Sequence, residues 1–402
     1  MNVKLSKRVN GVAASKTLAI SAKAQKMKAE GIFVVNFGVG EPDFSTPDFV
    51  ANAAIKAIHD GKTKYTPVAG IAPLREAVAR ELEKSTGLKY SASEVVVASG
   101  AKQPIYNVVS TLAEEGDEVI IPSPYWVTYP EIVKYCGATS VFVETKEENG
   151  FKITAEELEK AITPNTRLII LNSPCNPTGA VYKKEELEKI AEVVKKHDGI
   201  FVLSDEIYKN LVYDGEKHVS IATIDGMKDR TIIVDGVSKS YAMTGWRLGW
   251  SVAPEIVSQA MTRAQSHITS CANSIAQYAA LAALTDEKDT EAFIAEMNGI
   301  FERRRNLAVK LLSENGIKYI KPHGAFYLFL KISDTFGKRS SGGRAINSAE
   351  EFCDALITEN GVATVSGEAF GAGEYVRISY ALDEKKIAEG IKRIAEFIRL
   401  CK

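Results

Sequence analysis

Between about residue 94 and residue 239, short apolar runs alternate with stretches whose apolar positions recur at helical spacing. The runs are EVVVASG, DEVIIPSP, TRLIILNSP, GIFVLSDEIY and RTIIVDGVSK. That alternation predicts an α/β fold with a mostly parallel central sheet and helices on both faces. The apolar part of each run gives way to Ser, Pro, Asn or Asp, so the C-terminal ends of the strands should open onto polar loops, where such sheets bind ligands. Past about residue 290 the pattern changes to one long charged helix, TEAFIAEMNGIFERRRNLAVKLLSENG, then the short strands GAFYLFLKI and EYVRISYA and a final helix. This predicts a smaller α+β domain. The expected organisation is an N-terminal arm that joins the small domain (1–46), a large domain (47–290), and an interdomain helix with the small C-terminal domain (291–402). The segment GKRSSGGRAINS is expected to be a flexible, solvated connection.

Composition narrows the function classes. With 402 residues, 45% hydrophobic, the chain can bury a sizeable core. Its 50 basic and 51 acidic residues leave a net charge of -1, which favours neither nucleic acid nor an anionic membrane as a partner. The five cysteines form no CxxC pair and no zinc pattern, so no metal site is expected and the thiols should be reduced and mostly buried. Lys and Ser interrupt the N-terminal stretch before it reaches signal-peptide length, and the expected location is cytoplasmic. The glycines of FGVGEPDF lack the GxxG tail of a dinucleotide fingerprint.

The chemistry collects at the predicted strand ends. Lys239 follows RTIIVDG among the small residues Gly236, Ser238 and Ser240, where lost hydration should lower its pKa and leave a nucleophilic amine. Arg247 in TGWRLG precedes another apolar run and should lie at the same polar edge. Asp205, ending VLSD, can pair with a cationic heteroaromatic nitrogen, and Tyr208 offers a phenol nearby. Asn176, in NSPCNPTGAVY, can donate a neutral hydrogen bond. ASGAKQPIYN runs from a strand through Gly100 into a helix start whose free N–H groups suit a phosphate. A phosphate cradle with a cationic clamp, an aspartate, a phenol and a reactive amine is the set that pyridoxal 5′-phosphate needs.

The stretch GVSKSYAMTGWRLG resembles the lysine-attachment signature of the class I and II aminotransferases, fold type I enzymes dependent on pyridoxal phosphate. The resemblance continues in order through GEPDFSTP, GKTKYTPVAGIAPLREA, SPYWVTYPE, NSPCNPTGAVY, SDEIY and VRISYA, as in the branch of bacterial aspartate and prephenate aminotransferases. It implies that Lys239 binds the cofactor covalently as a Schiff base and shuttles the proton, with Asp205 and Tyr208 as the other catalytic residues. Asp205 would keep the pyridine nitrogen protonated, and Tyr208 and Asn176 would hydrogen-bond the phenolic oxygen. Trp126 or its neighbour Tyr125 would cover the ring. Gly100, Ala101, Lys102, Ser238 and Arg247 would surround the phosphate, helped by Tyr65 from the other subunit of a homodimer. Gly40, Trp126, Asn176 and Arg377 would form the substrate site, with Arg377 gripping the α-carboxylate.

The activity this implies is transfer of the amino group of L-aspartate to 2-oxoglutarate by a ping-pong route through pyridoxamine phosphate. Lys102, Ser15 and Thr17 are candidates for the distal carboxylate, although Ser15 and Thr17 also suit helix capping. Phe326 and Tyr327 either line the same pocket or belong to the core. The resemblance also implies that some relatives in this branch accept prephenate or aromatic donors with the help of a basic residue in the N-terminal segment; Ala13 stands near that place here, which favours aspartate. The alternatives are an aromatic, prephenate or alanine aminotransferase, a carbon–sulfur lyase or cyclopropane-forming synthase using the same cofactor, and a non-catalytic amino-acid sensor.

Overall fold

The computed structural model describes residues 3–402. After a first strand, β1 (Val35–Asn36), the central sheet is built from β2 (Val95–Ala98), β3 (Glu118–Ser123), β4 (Thr139–Glu144), β5 (Thr166–Asn172), β6 (Phe201–Asp205), β7 (Thr231–Gly236) and β8 (Gly249–Val252). Their order is β2-β8-β7-β6-β5-β3-β4, and β8 alone runs antiparallel to its neighbours. Because successive side chains on a strand point to opposite faces, each strand feeds two cores. Leu168 and Ile170 of β5 pack with Val108 and Val109 of the helix Lys102–Leu112. Ile169 and Leu171 pack on the other face, with Leu187 and Ile190 of the helix Lys184–Lys195. The expected sandwich of helices around a mostly parallel sheet is therefore observed.

The C-terminal part carries β9 (Tyr319–Ile320), β10 (Tyr327–Lys331), β11 (Lys338–Arg339), β12 (Ala345–Ile346), β13 (Val362–Ala363), β14 (Val365–Ser366) and β15 (Tyr375–Ser379). A four-stranded sheet has the order β14-β15-β10-β9, and its buried face packs on the helices Glu287–Glu314 and Glu384–Leu400. β1 pairs in parallel with β13. Ion pairs Lys16–Glu350 and Lys23–Asp354 join the helix Lys16–Ala29 to the helix Ala349–Asn360.

One expectation is corrected. The segment GKRSSGGRAINS is not a loose connection but a two-stranded turn, with Lys338 opposite Ile346 and Arg339 opposite Ala345. The Glu359 carboxylate accepts from the Ser340 hydroxyl at 2.6 Å and from the Gly342 N–H at 2.9 Å. The partner that orders the segment lies too far along the chain for local composition to reveal it.

No helix among the described residues is long and apolar enough to cross a membrane. All five cysteines are free; Cys175, Cys353 and Cys401 are buried, and Cys136 and Cys271 are half-buried.

Candidate functional site

The strand ends meet as the alternating pattern requires. Asp205 is the last residue of β6, Asn172 the last of β5, and Lys239 lies in the short helical turn Val237–Ser240 directly after β7. From the opposite side, β15 of the small sheet brings Arg377, and β10 brings Tyr327. Between them is a cavity of about 310 Å³. Its walls include Gly40, Ala101, Lys102, Trp126 and Asn176, together with Asp205, Tyr208, Ser238, Lys239, Arg247 and Arg377.

Asp205 is buried, and its two oxygens have different partners. Oδ2 accepts from the Tyr129 hydroxyl at 2.6 Å and Oδ1 from the Ile207 N–H at 3.3 Å. Burial pushes this carboxyl up to about 6, opposed by those two hydrogen bonds. It therefore remains mostly charged at neutral pH, fixed in orientation. Sequence reasoning misses Tyr129. It lies on the helix Thr128–Cys136, with its ring edge-on to Trp126 at 5.5 Å. The block SPYWVTYPE contains it, but helical spacing alone reads it as core.

The Lys239 ammonium donates to the Gly40 carbonyl at 2.6 Å. Burial pushes its pKa down to about 8, with Arg247 and Arg377 acting in the same direction and Glu41 and Asp205 opposing. The Tyr208 hydroxyl lies 2.9 Å from that of Tyr327, and burial raises the Tyr208 phenol well above its ordinary value. Burial raises the Tyr327 phenol as well. Both phenols therefore stay protonated and can donate. Tyr327 is thus both core, at 1% exposure, and part of the cavity wall.

Arg377 is buried, donating from Nη1 to Asn176 Oδ1 and from Nη2 to the Gly38 carbonyl, both at 2.9 Å. Its guanidinium lies 4.5 Å from the Tyr327 ring and 5.1 Å from that of Phe370. Its Nε is buried with no partner among the described residues. A buried donor without an acceptor is costly, and a carboxylate entering the cavity would be the matching acceptor.

At the other end of the cavity, the helix Lys102–Leu112 starts at Ala101 with no side-chain cap, leaving its first N–H groups free. Gly100 has φ +70°, and a Cβ there would collide with the Arg247 guanidinium. Arg247 itself has a left-handed φ of 52°, a strained conformation for a non-glycine residue. Close backbone, free N–H groups and a fixed cation together suit a phosphate. With Asp205 and Lys239 in the same cavity, the residues present fit a phosphorylated pyridine aldehyde.

The remaining candidates divide. Trp126 faces the cavity, while Tyr125 stacks on Phe142 at 5.1 Å and is not part of the cavity wall. Thr17 lines the cavity, whereas Ser15 caps the helix Lys16–Ala29 by accepting from the Leu18 N–H. Lys102 Nζ lies 4.9 Å from the Trp126 ring, and burial followed by the Arg247 charge lowers its pKa. Phe326 is fully buried core. Tyr65 is outside the cavity and 93% exposed.

Comparison with known proteins identifies the family. The family model "Aminotransferase class I and II" matches residues 33–394. The chain is 45% identical to an aspartate aminotransferase of Bacillus subtilis (strain 168), covering 98% of this chain and 99% of that protein. It is 44% identical to a probable aspartate/prephenate aminotransferase of Rhizobium leguminosarum bv. phaseoli, covering 99% of each. The solved structure of an aspartate aminotransferase from Thermus thermophilus with maleate matches with a TM-score of 0.93 at 40% identity, covering 98% of this chain and 100% of that one.

Proposed function

The chain belongs to the class I and II aminotransferase family and is a pyridoxal phosphate-dependent aminotransferase, and from that premise we propose that it transfers the amino group of L-aspartate to 2-oxoglutarate. The observation that carries the proposal is the convergence of Lys239, Asp205 and the partly unpartnered Arg377 fork on one cavity.

When bound, pyridoxal phosphate supplies an aldehyde for the donor's amine and a ring that accepts electrons as the Cα–H bond breaks. Lys239 would hold that aldehyde covalently and, once displaced by the donor, carry the proton. Its pKa of about 8 suits a base working near neutrality. Asp205, oriented by Tyr129, would keep the ring nitrogen protonated. Asn176 and Tyr208 would donate to the phenolic oxygen, and Trp126 would cover the ring. Gly100, Ala101, Lys102, Ser238 and Arg247 would hold the phosphate. Arg377 would bind the α-carboxylate in bidentate fashion beside Gly40, which sets the Cα–H bond within reach of Lys239 and favours its cleavage over loss of carbon dioxide.

In this reading residues 47–290 bind the cofactor, while Gly40 comes from 1–46 and Arg377 from 291–402. We further propose a cytoplasmic homodimer in which the exposed Tyr65 of each copy reaches the partner's phosphate site.

Aspartate is favoured over the other donors by two considerations. The relatives' names include aspartate aminotransferases, and the Thermus thermophilus structure holds maleate, a four-carbon dicarboxylate. Lys102 and Thr17 stand on the cavity wall where a second carboxylate can be met. A prephenate reading has support in the names of other relatives, but Ala13 brings no charge to the N-terminal segment. Half-reactions with aspartate, glutamate, tyrosine, phenylalanine, alanine and arogenate, compared by catalytic efficiency, test the assignment. Aspartate should lead, and a preference confined to aromatic or alanine donors would overturn it.

A second expectation concerns pH. Only the neutral amine attacks an aldehyde, so protein stripped of cofactor should take up pyridoxal phosphate faster as pH rises and level off above about 8. Stopped-flow absorbance checks this. A rate still climbing through pH 10 would mean that Lys239 is an ordinary lysine.

A further inference from the structure

Two backbone oxygens in the cavity belong to a single segment. Residues 38–46, GVGEPDFST, connect β1 to the helix Asp48–His59. The Gly38 carbonyl accepts from Arg377 Nη2 at 2.9 Å, and the Gly40 carbonyl from Lys239 Nζ at 2.6 Å. Where this segment sits therefore bears on both basic side chains that the reaction uses. Gly40 also packs tightly, since a Cβ there would stand 3.0 Å from the Tyr327 hydroxyl.

The segment is fastened outside the cavity. Arg304, on the long helix Glu287–Glu314, grips Asp43 with both arms, Nη1 to Oδ1 at 2.7 Å and Nη2 to Oδ2 at 2.9 Å. Arg304 is only 9% exposed, and its guanidinium lies 5.6 Å from the Phe44 ring and 5.8 Å from that of Phe301. A two-armed pair fixes orientation as well as distance, and partial burial limits its screening by salt. A second fastening joins the Thr244 hydroxyl to Glu41 Oε2 at 2.7 Å. A third runs from Trp246 Nε1 to the Thr46 hydroxyl at 2.9 Å, which in turn donates to the Ala242 carbonyl at 3.0 Å.

We propose that Arg304 is a positioning residue for the reaction: through Asp43 it sets the place of residues 38–46, and so of the carbonyls that meet Lys239 and Arg377. This rests on the roles proposed above for those two residues. The charged groups around Lys239 are Glu41 on the segment, Asp205 at the end of β6, Arg247 before β8, and Arg377 on β15. Of these, Glu41 alone moves with the segment. Releasing the segment withdraws both an acceptor and a negative charge from the lysine nitrogen, which disfavours its protonated form.

The test uses the parent, Arg304→Met, Arg304→Lys and Thr244→Val. The readouts are the pH midpoint of pyridoxal phosphate uptake by cofactor-free protein, where Lys239 is a free amine, and the KM and kcat for aspartate of the holoenzyme. Arg304→Met should lower the titration midpoint by at least about 0.5 unit. It should also raise KM about tenfold or more, since small misplacements of binding groups are costly. Arg304→Lys should fall between, because an ammonium keeps the charge but not the fork. Thr244→Val should move the midpoint in the same direction with the Arg304 pair intact. A parent enzyme that forms no lysine-linked adduct would defeat the underlying roles. A normal parent, with Arg304→Met changed in melting temperature but not in midpoint or KM, would overturn the positioning role alone. If Arg304→Met fails to fold, Arg304→Lys decides in its place, and an unchanged midpoint and KM there overturn the proposal.

Discussion

Lys239→Ala should give a folded protein that still takes up pyridoxal phosphate but transfers no amino group at a measurable rate. The loss should be at least about 10⁴-fold in kcat, the upper range for a positioned acid–base group, with the covalent attachment lost as well. Folding should survive because burial already disfavours the Lys239 ammonium, and its one strong hydrogen bond is to the Gly40 carbonyl. Cofactor should still be retained, since the free N–H groups after Gly100 and the Arg247 cation do not involve the lysine. Borohydride treatment followed by peptide mass analysis should find the adduct on Lys239 in the parent and nowhere in the variant. An adduct at another lysine, or turnover within tenfold of the parent, would remove Lys239 from the centre of the chemistry.

The groups needed for that result are legible in the sequence because they end buried strands. A run such as TIIVDG must be strand, and the residues after it must turn outward, so Lys239 and Asp205 can be placed without knowing any contact. The long helix is likewise readable to within a few residues of its observed span, Glu287–Glu314. β4 is not, because its burial is partial and irregular at the sheet edge and no continuous apolar run marks it.

The features that the sequence hides share a cause, which is that each depends on a partner far away along the chain. Tyr129 meets Asp205 across 76 positions, and nothing local distinguishes its phenol from a core aromatic. In FERRRN, three arginines on a charged helix suggest a solvated face. Arg304 and Arg305 are in fact buried, paired with Asp43 and Asp214. Arg305 holds the Asp214 carboxyl well below the usual range. Local pattern reveals which side chains must leave water, but it does not reveal which charged ones leave in pairs.

Arg377→Leu should lower kcat/KM for aspartate by roughly 30-fold to several thousand-fold, the equivalent of about 2–5 kcal/mol for truncating one member of a buried charged pair. Arg377→Lys should recover only part of this. One ammonium cannot reach Asn176 Oδ1, the Gly38 carbonyl and an incoming carboxylate as the guanidinium does from Nη1, Nη2 and Nε. The decisive comparison pairs each enzyme with alanine and with ethylamine, which lacks the carboxylate. In the parent, alanine should react far faster in single-turnover absorbance measurements. In Arg377→Leu that advantage should collapse, because the lost group interacts with the carboxylate and not with the amine. Because Arg377 also steadies Asn176, some slowing of both substrates is expected. If ethylamine is penalised as heavily as alanine, the arginine acts through Asn176 alone, and the carboxylate must be held elsewhere in the cavity.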